Sequence, residues 1–160
     1  MKLKIIPIFI LCLTLCSCSK KPAEIKKDFS STIDCDYNGT KLKAEISAEK
    51  HNDLVIKMLE PRGVEDYAYT YKGGRLNINY NDLNIDSADD YLPSSSFAEA
   101  IYNVLKSVNS EKAVLNGSYN SLAEYKGKCD SGNYILKTDI NTGYISELEI
   151  KEIKLTASFS

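Results

Sequence analysis

The sequence predicts a mainly β protein of the α+β class, with one or two helices, in which a curved antiparallel sheet packs on a helix. Three observations carry this. Apolar and polar residues alternate with period two through most of the chain, the mark of half-buried strands. Turn residues punctuate those runs at short intervals. One segment, 96–108, breaks the pattern and repeats its apolar residues with helical spacing.

The elements follow in chain order. Ile33, Cys35 and Tyr37 share one face. Asn38-Gly39 then supplies a two-residue hairpin turn. Leu42, Ala44, Ile46 and Ala48 alternate with polar residues, and Leu54, Ile56 and Met58 form the next strand face, which Pro61 ends. Tyr67, Tyr69 and Tyr71 alternate before Gly73-Gly74, and Leu76, Ile78 and Tyr80 alternate with asparagines after it. Phe97, Ala100, Ile101, Val104, Leu105 and Val108 mark the helix, with Ser96 and Glu99 as its capping-box pair. Burying those six side chains against a sheet contributes about 10 kcal/mol gross, before entropy is subtracted. Strand-like runs return around 112–120, 122–129 and 133–140. In the last segment Leu148 and Ile150 take one phase while Ile153, Leu155, Ala157 and Phe159 take the other. A bulge or tight turn near Lys151-Glu152 restores the register. About ten strands are expected.

The first residues read as an address. Lys2 and Lys4 precede an apolar run over Ile5–Leu15, too short to span a bilayer. Leu15-Cys16-Ser17-Cys18 then resembles the lipobox of bacterial lipoproteins. That resemblance implies a signal peptide over 1–17, cleavage before Cys18 and lipidation of its thiol. It places the protein at the cell membrane, lipid-anchored on the extracytoplasmic side. Residues 18–27, rich in lysine, read as a tether, and 28–160 as the folded domain. With Lys2 and Lys4 removed, the 20 basic residues fall to 18 against 22 acidic ones. A mildly acidic body does not point to nucleic acid.

Of five cysteines, Cys12 and Cys16 leave with the signal and Cys18 is lipidated, so Cys35 and Cys129 remain. Outside the cytoplasm they form a possible disulfide. Such a bridge closes a separation of 94 residues and is worth roughly 4–5 kcal/mol if unstrained. Two free thiols, or a bridge between copies, are the alternatives.

The search for chemistry is largely negative. There is no phosphate loop, dinucleotide fingerprint or nucleophile elbow. His51 is the single histidine and has no motif around it. A zinc site joining His51, Cys35 and Cys129 would need three distant segments to converge. Asp82, Asn84 and Asp86 match the first ligand positions of a calcium loop, but Ser87 and Pro93 stand where its glycine and bidentate glutamate belong. The expectation is no metal, no cofactor and no catalysis. The tyrosines suit either cross-strand packing or a half-open groove.

The order of elements is similar to the LolA/LolB/LppX-type half-barrel. The resemblance lies in Pro61-Arg62-Gly63 with Tyr67-Ala68-Tyr69, in Gly73-Gly74-Arg75-Leu76 with Tyr80, and in Asn133-Tyr134-Ile135-Leu136, Asn141-Thr142-Gly143 and Leu148-Glu149-Ile150. It implies an incomplete barrel whose concave apolar side holds an acyl chain or another hydrophobic ligand. Ile56, Met58, Tyr67, Tyr69, Leu76, Ile78, Phe97, Ile101 and Leu105 are the candidate lining residues. The chain also looks similar to clostridial spore-germination lipoproteins of this type. That implies an alternative role as structural or regulatory partner of another cell-envelope protein, such as a cell-wall amidase.

Overall fold

The computed structural model describes residues 21–49 and 52–160. Cys18, the rest of the signal region and His51 lie outside the described residues. Eleven strands form one antiparallel sheet: β1 (Phe29–Tyr37), β2 (Thr40–Glu49), β3 (Asp53–Glu60), β4 (Ala68–Lys72), β5 (Arg75–Tyr80), β6 (Leu83–Ala88), β7 (Val114–Tyr119), β8 (Leu122–Cys129), β9 (Gly132–Asp139), β10 (Ile145–Ile150) and β11 (Leu155–Phe159). The helix α1 spans Phe97–Asn109. The fold class is the one expected: mostly strand, one long helix, and a curved open sheet around it. Among the described residues no helix is long and apolar enough to cross a membrane.

The strand order is β6-β5-β4-β3-β2-β1-β11-β10-β9-β8-β7. Two meanders thus meet where the first strand pairs with the last, from Ile33 opposite Phe159 to Tyr37 opposite Leu155. The outer edges are β6 and β7, and α1 is the connection between them. A chain leaving one edge must cross the concave face to reach the other, so the topology itself carries the helix into the hollow.

Local chemistry places the turns. Asn38 (φ 51°) and Gly39 (φ 85°) both take the left-handed region, as the β1–β2 hairpin requires. Between β10 and β11 a 3₁₀ turn over Lys151–Ile153, with Lys154 at φ 50°, absorbs the phase change read at Lys151-Glu152. The acidic run holding Asp82, Asn84 and Asp86 is not a loop. It forms much of β6, where Asn84 accepts from Asn77 at 2.7 Å and Asp86 pairs with Arg75.

The helix departs from expectation in one respect. A single apolar stripe was anticipated, yet eleven of its thirteen residues are buried. The polar ones among them, Glu99, Asn103 and Ser107, recur every fourth residue and so share one face. Each meets a sheet-side partner: the Tyr71 hydroxyl donates to Glu99 at 3.0 Å, Asn103 donates to Ser131 Oγ at 3.2 Å, and Ser107 lies 3.0 Å from the Tyr134 hydroxyl. The sheet curls far enough to enclose the polar side too, and hydrogen bonds offset its desolvation. Glu99 therefore does not close the capping box. The Ser96 side chain makes no cap hydrogen bond, although its carbonyl accepts from the Ala100 N–H at 2.9 Å.

Gly127 makes one of these contacts possible. It stands opposite Tyr134 across β8 and β9, and a Cβ there would run into the tyrosine ring. The bare backbone lets the ring lie flat over the strand, where Tyr134 is only 1% exposed.

Candidate functional site

The expected lining residues are brought together, but as solid core. Ile56, Leu76 and Ile101 are fully buried, and Met58, Ile78, Phe97 and Leu105 nearly so. Tyr67 and Tyr69 are half-buried against that core. Tyr67 stacks on Tyr80 with ring centroids 4.0 Å apart, and Tyr71 stacks on Tyr102 at the same spacing. Phe97 packs on Tyr37 at 6.5 Å. A fissure between the C-terminal half of α1 and the β2–β3 end holds about 10 Å³. That is barely room for one water molecule. Side chains occupy the space that the inward faces of β3, β5 and α1 enclose.

Cys35 and Cys129 are not brought together. Cys35 lies on β1 between Leu42 and Ala157, and Cys129 ends β8. Strands β11, β10 and β9 separate them. Four strand steps are about 19 Å along the sheet, against a Cα limit of roughly 7 Å for a disulfide. Both thiols are free, and the internal bridge entertained from sequence does not form. Burial, with Asp34 nearby, pushes the Cys35 thiol up to about 12, and burial also raises Cys129.

The open apolar space lies elsewhere, at the β7 edge. The helix ends at Asn109, and Glu111 turns the chain at φ 58°. The chain then runs out to β7 through Lys112 and Ala113, so α1 stops short of the sheet edge. All six β7 residues are exposed. Between this edge, the end of α1 and the N-terminal segment opens a cleft with about 610 Å³ of free space. Ile25, Val108, Ala113, Leu115 and Tyr125 form its apolar wall, and Lys21, Glu24, Lys27 and Glu111 stand around it. Two positive and two negative side chains leave this rim without a net sign.

The N-terminal wall is held by specific bonds. The segment expected to be a free tether is docked from Ala23 onward, where Ala23 N–H donates to Ile140 O and Lys26 N–H to Gly143 O, each at 2.9 Å. The Lys26 ammonium donates to the Tyr144 hydroxyl at 2.7 Å and lies 4.2 Å from that ring's centroid. Gly143, at φ 73°, lets the segment pass close, since a Cβ there would strike the Glu24 carbonyl. Ile25 is the one apolar residue amid lysines and glutamate in 24–27, and that isolation is the signal in the sequence that it has a wall to fill. Tyr125 is one of the tyrosines whose chemistry suits a half-open groove, whereas Leu115 carried no mark in the sequence.

The cleft offers apolar surface and a mixed rim. Among the described residues, no cluster of three or more histidine, cysteine, aspartate or glutamate side chains could hold a metal ion.

No family model matches the chain, and no curated protein matches it. Among solved structures it is similar to a LolA superfamily protein from Nitrosomonas europaea, at 9% sequence identity and a TM-score of 0.43, over 86% of this chain and 86% of that one.

Proposed function

We propose that this protein is a lipid-anchored extracytoplasmic binding module, without catalysis of its own, that holds an acyl chain or another hydrophobic group in the cleft beside β7. The observation that carries the reading is the cleft itself. Its volume of about 610 Å³ falls within the roughly 300–1,000 Å³ usual for small-ligand sites, and its wall is mainly apolar. Its position agrees with the lipobox. Lys21 lies on the cleft wall, three residues beyond Cys18, and three residues span at most about 11 Å. An anchor at Cys18 therefore keeps the cleft close to the bilayer, where hydrophobic ligands are found.

The test is lipid analysis of the full-length protein purified from its native membrane in mild detergent. One equivalent of hydrophobic ligand beyond the anchor is expected. Leu115→Glu should lose it without unfolding the domain, since Leu115 is 46% exposed. A wild-type preparation with nothing but its own anchor sinks the reading.

A second reading is favoured by the solid core beneath α1: the module serves as a structural or regulatory partner of another envelope protein, such as a cell-wall amidase in spore germination. The exposed aromatic residues Tyr119 and Tyr144 then provide contact surface. Co-purification of one stoichiometric envelope protein, with no lipid in the cleft, would favour this role over the first.

A further inference from the structure

An exposed sheet edge is normally protected by charge, proline or a covering segment. The two edges of this sheet differ in that respect. β6 carries a charged residue, Asp86, and is bordered by Asp82 and Asp89. β7 reads Val-Leu-Asn-Gly-Ser-Tyr, without a charge or a proline, and is exposed along its whole length. Val114 is 68% exposed and Tyr119 80%.

Its register adds a second observation. The ladder with β8 shifts between Leu115 and Gly117, leaving Asn116 as an extra residue whose side chain donates to Glu124 at 2.7 Å. The bulge turns six residues into five ladder positions, with Gly117 at the centre. Leu115, opposite the cleft residue Tyr125, and Ser118, opposite the buried Ala123, face inward. Val114 and Tyr119, opposite Lys126 and Leu122, face outward. An antiparallel copy of the same strand, overlapped end to end, sets Val114 against Tyr119 and Leu115 against Ser118. Every pair then matches inward with inward and outward with outward. Without the bulge, a full six-residue overlap would join opposite faces.

We infer that β7 pairs with β7 of a second copy across a two-fold axis at Gly117, and that the two clefts meet beside that axis to form one shared apolar groove. Edge pairing of identical antiparallel strands fixes the axis perpendicular to the sheet. Both inner faces, both clefts and both N-terminal segments then lie on the same side, the arrangement two copies anchored in one membrane require. Pairing at β7 is argued from the edge alone. The shared groove also rests on the reading of the cleft as a ligand site.

The experiment uses the full-length lipoprotein in mild detergent. Its protein mass by light scattering should equal two copies. In a Cys129→Ser background, Gly117→Cys should cross-link to a doubled band under mild oxidation, and Asn84→Cys at the middle of β6 should not. Val114→Lys with Tyr119→Lys places like charges across the axis and should halve the mass. Val114→Lys with Tyr119→Glu is self-complementary and should keep it at two copies, which separates lost pairing from lost folding. A one-copy mass for the unmodified chain, cross-linking at Gly117 no better than at Asn84, or equal masses for the two charge variants each overturn the pairing. Bound lipid measured on the same preparations separates the two ideas. A two-copy mass without ligand refutes the cleft reading and leaves the pairing standing. Full ligand retention by the one-copy Lys/Lys variant refutes the shared groove.

Discussion

The Tyr71 hydroxyl donates a hydrogen bond of 3.0 Å to Glu99 Oε2 inside the half-barrel, where Tyr71 is fully buried and Glu99 only 4% exposed. Burial raises the Glu99 carboxyl above its ordinary range, the Tyr71 hydrogen bond opposes that, and Asp89 adds to it. Lys106 and Asn103 also favour the charged form. Burial is the largest of these effects, so folding shifts the carboxyl toward its protonated form.

The sign of the pH dependence follows. A group whose folded value is raised contributes stability that is fully present below its unfolded value and is lost as pH rises through the folded one. Glu99 thus favours the fold at mildly acid pH and weakens it at neutral pH. Glu99→Gln keeps an acceptor for Tyr71 and removes the charge. It should stabilise the protein by about 1 kcal/mol at pH 7, the scale of a buried polar penalty, and by little at pH 4. Urea unfolding at the two pH values checks this. Equal effects at both would contradict it.

Tyr71→Phe deletes the donor and leaves the carboxylate buried without it. The expected loss is roughly 1–3 kcal/mol, larger at pH 7 than at pH 4, because the charged form needs the bond more. The same unfolding series reads it, and a loss independent of pH would assign the effect to packing alone.

Gly127→Ala should destabilise the domain by about 1–3 kcal/mol, since its methyl group must displace the buried Tyr134 ring. The ring holds the Ser107 contact at 3.0 Å, so the helix loosens with it. A shift in the thermal midpoint, with faster exchange of the α1 amides, is the readout. An unchanged midpoint would show that the ring has room to move.

Gly143→Ala should release the docked N-terminal segment. The new Cβ meets the Glu24 carbonyl, and alanine is strained at φ 73°. Trypsin cleavage after Lys26 and Lys27 should accelerate severalfold while the sheet stays folded by circular dichroism. Cleavage at the wild-type rate would mean that the bonds from Ala23 and Lys26 do not depend on this glycine.

Thiol labelling tests the placement of the cysteines. Cys129, half-buried at the end of β8, should react slowly with a maleimide in the native protein. Cys35, 3% exposed and with its thiol raised to about 12, should react only on unfolding. An internal disulfide in protein isolated under oxidising conditions would contradict the strand order.

Much of this molecule was written in local sequence. The alternating runs marked ten of the eleven strands, and Leu83 and Ile85 hinted at the remaining one, β6. Asn38-Gly39 and Gly73-Gly74 marked hairpins. The helical spacing from Phe97 to Val108 placed α1 within a residue, because each signal acts over a few positions. Facing was legible as well: Ile56, Leu76 and Ile101 point inward as their phase requires.

Whether an inward face lines a hollow or fills it depends on how tightly the sheet curls, and curvature is summed over eleven strands drawn from both ends of the chain. That sum decided that Glu99, Asn103 and Ser107 are buried with partners 27 or 28 residues away in sequence. It decided that β1 pairs with β11 and so holds Cys35 away from Cys129. It also decided that the chain beyond α1 leaves the sheet's edge uncovered, with Ile25 from the far N-terminal side as the opposite wall. Periodicity reports which side of a strand avoids water. Only the packed tertiary structure determines what that side meets.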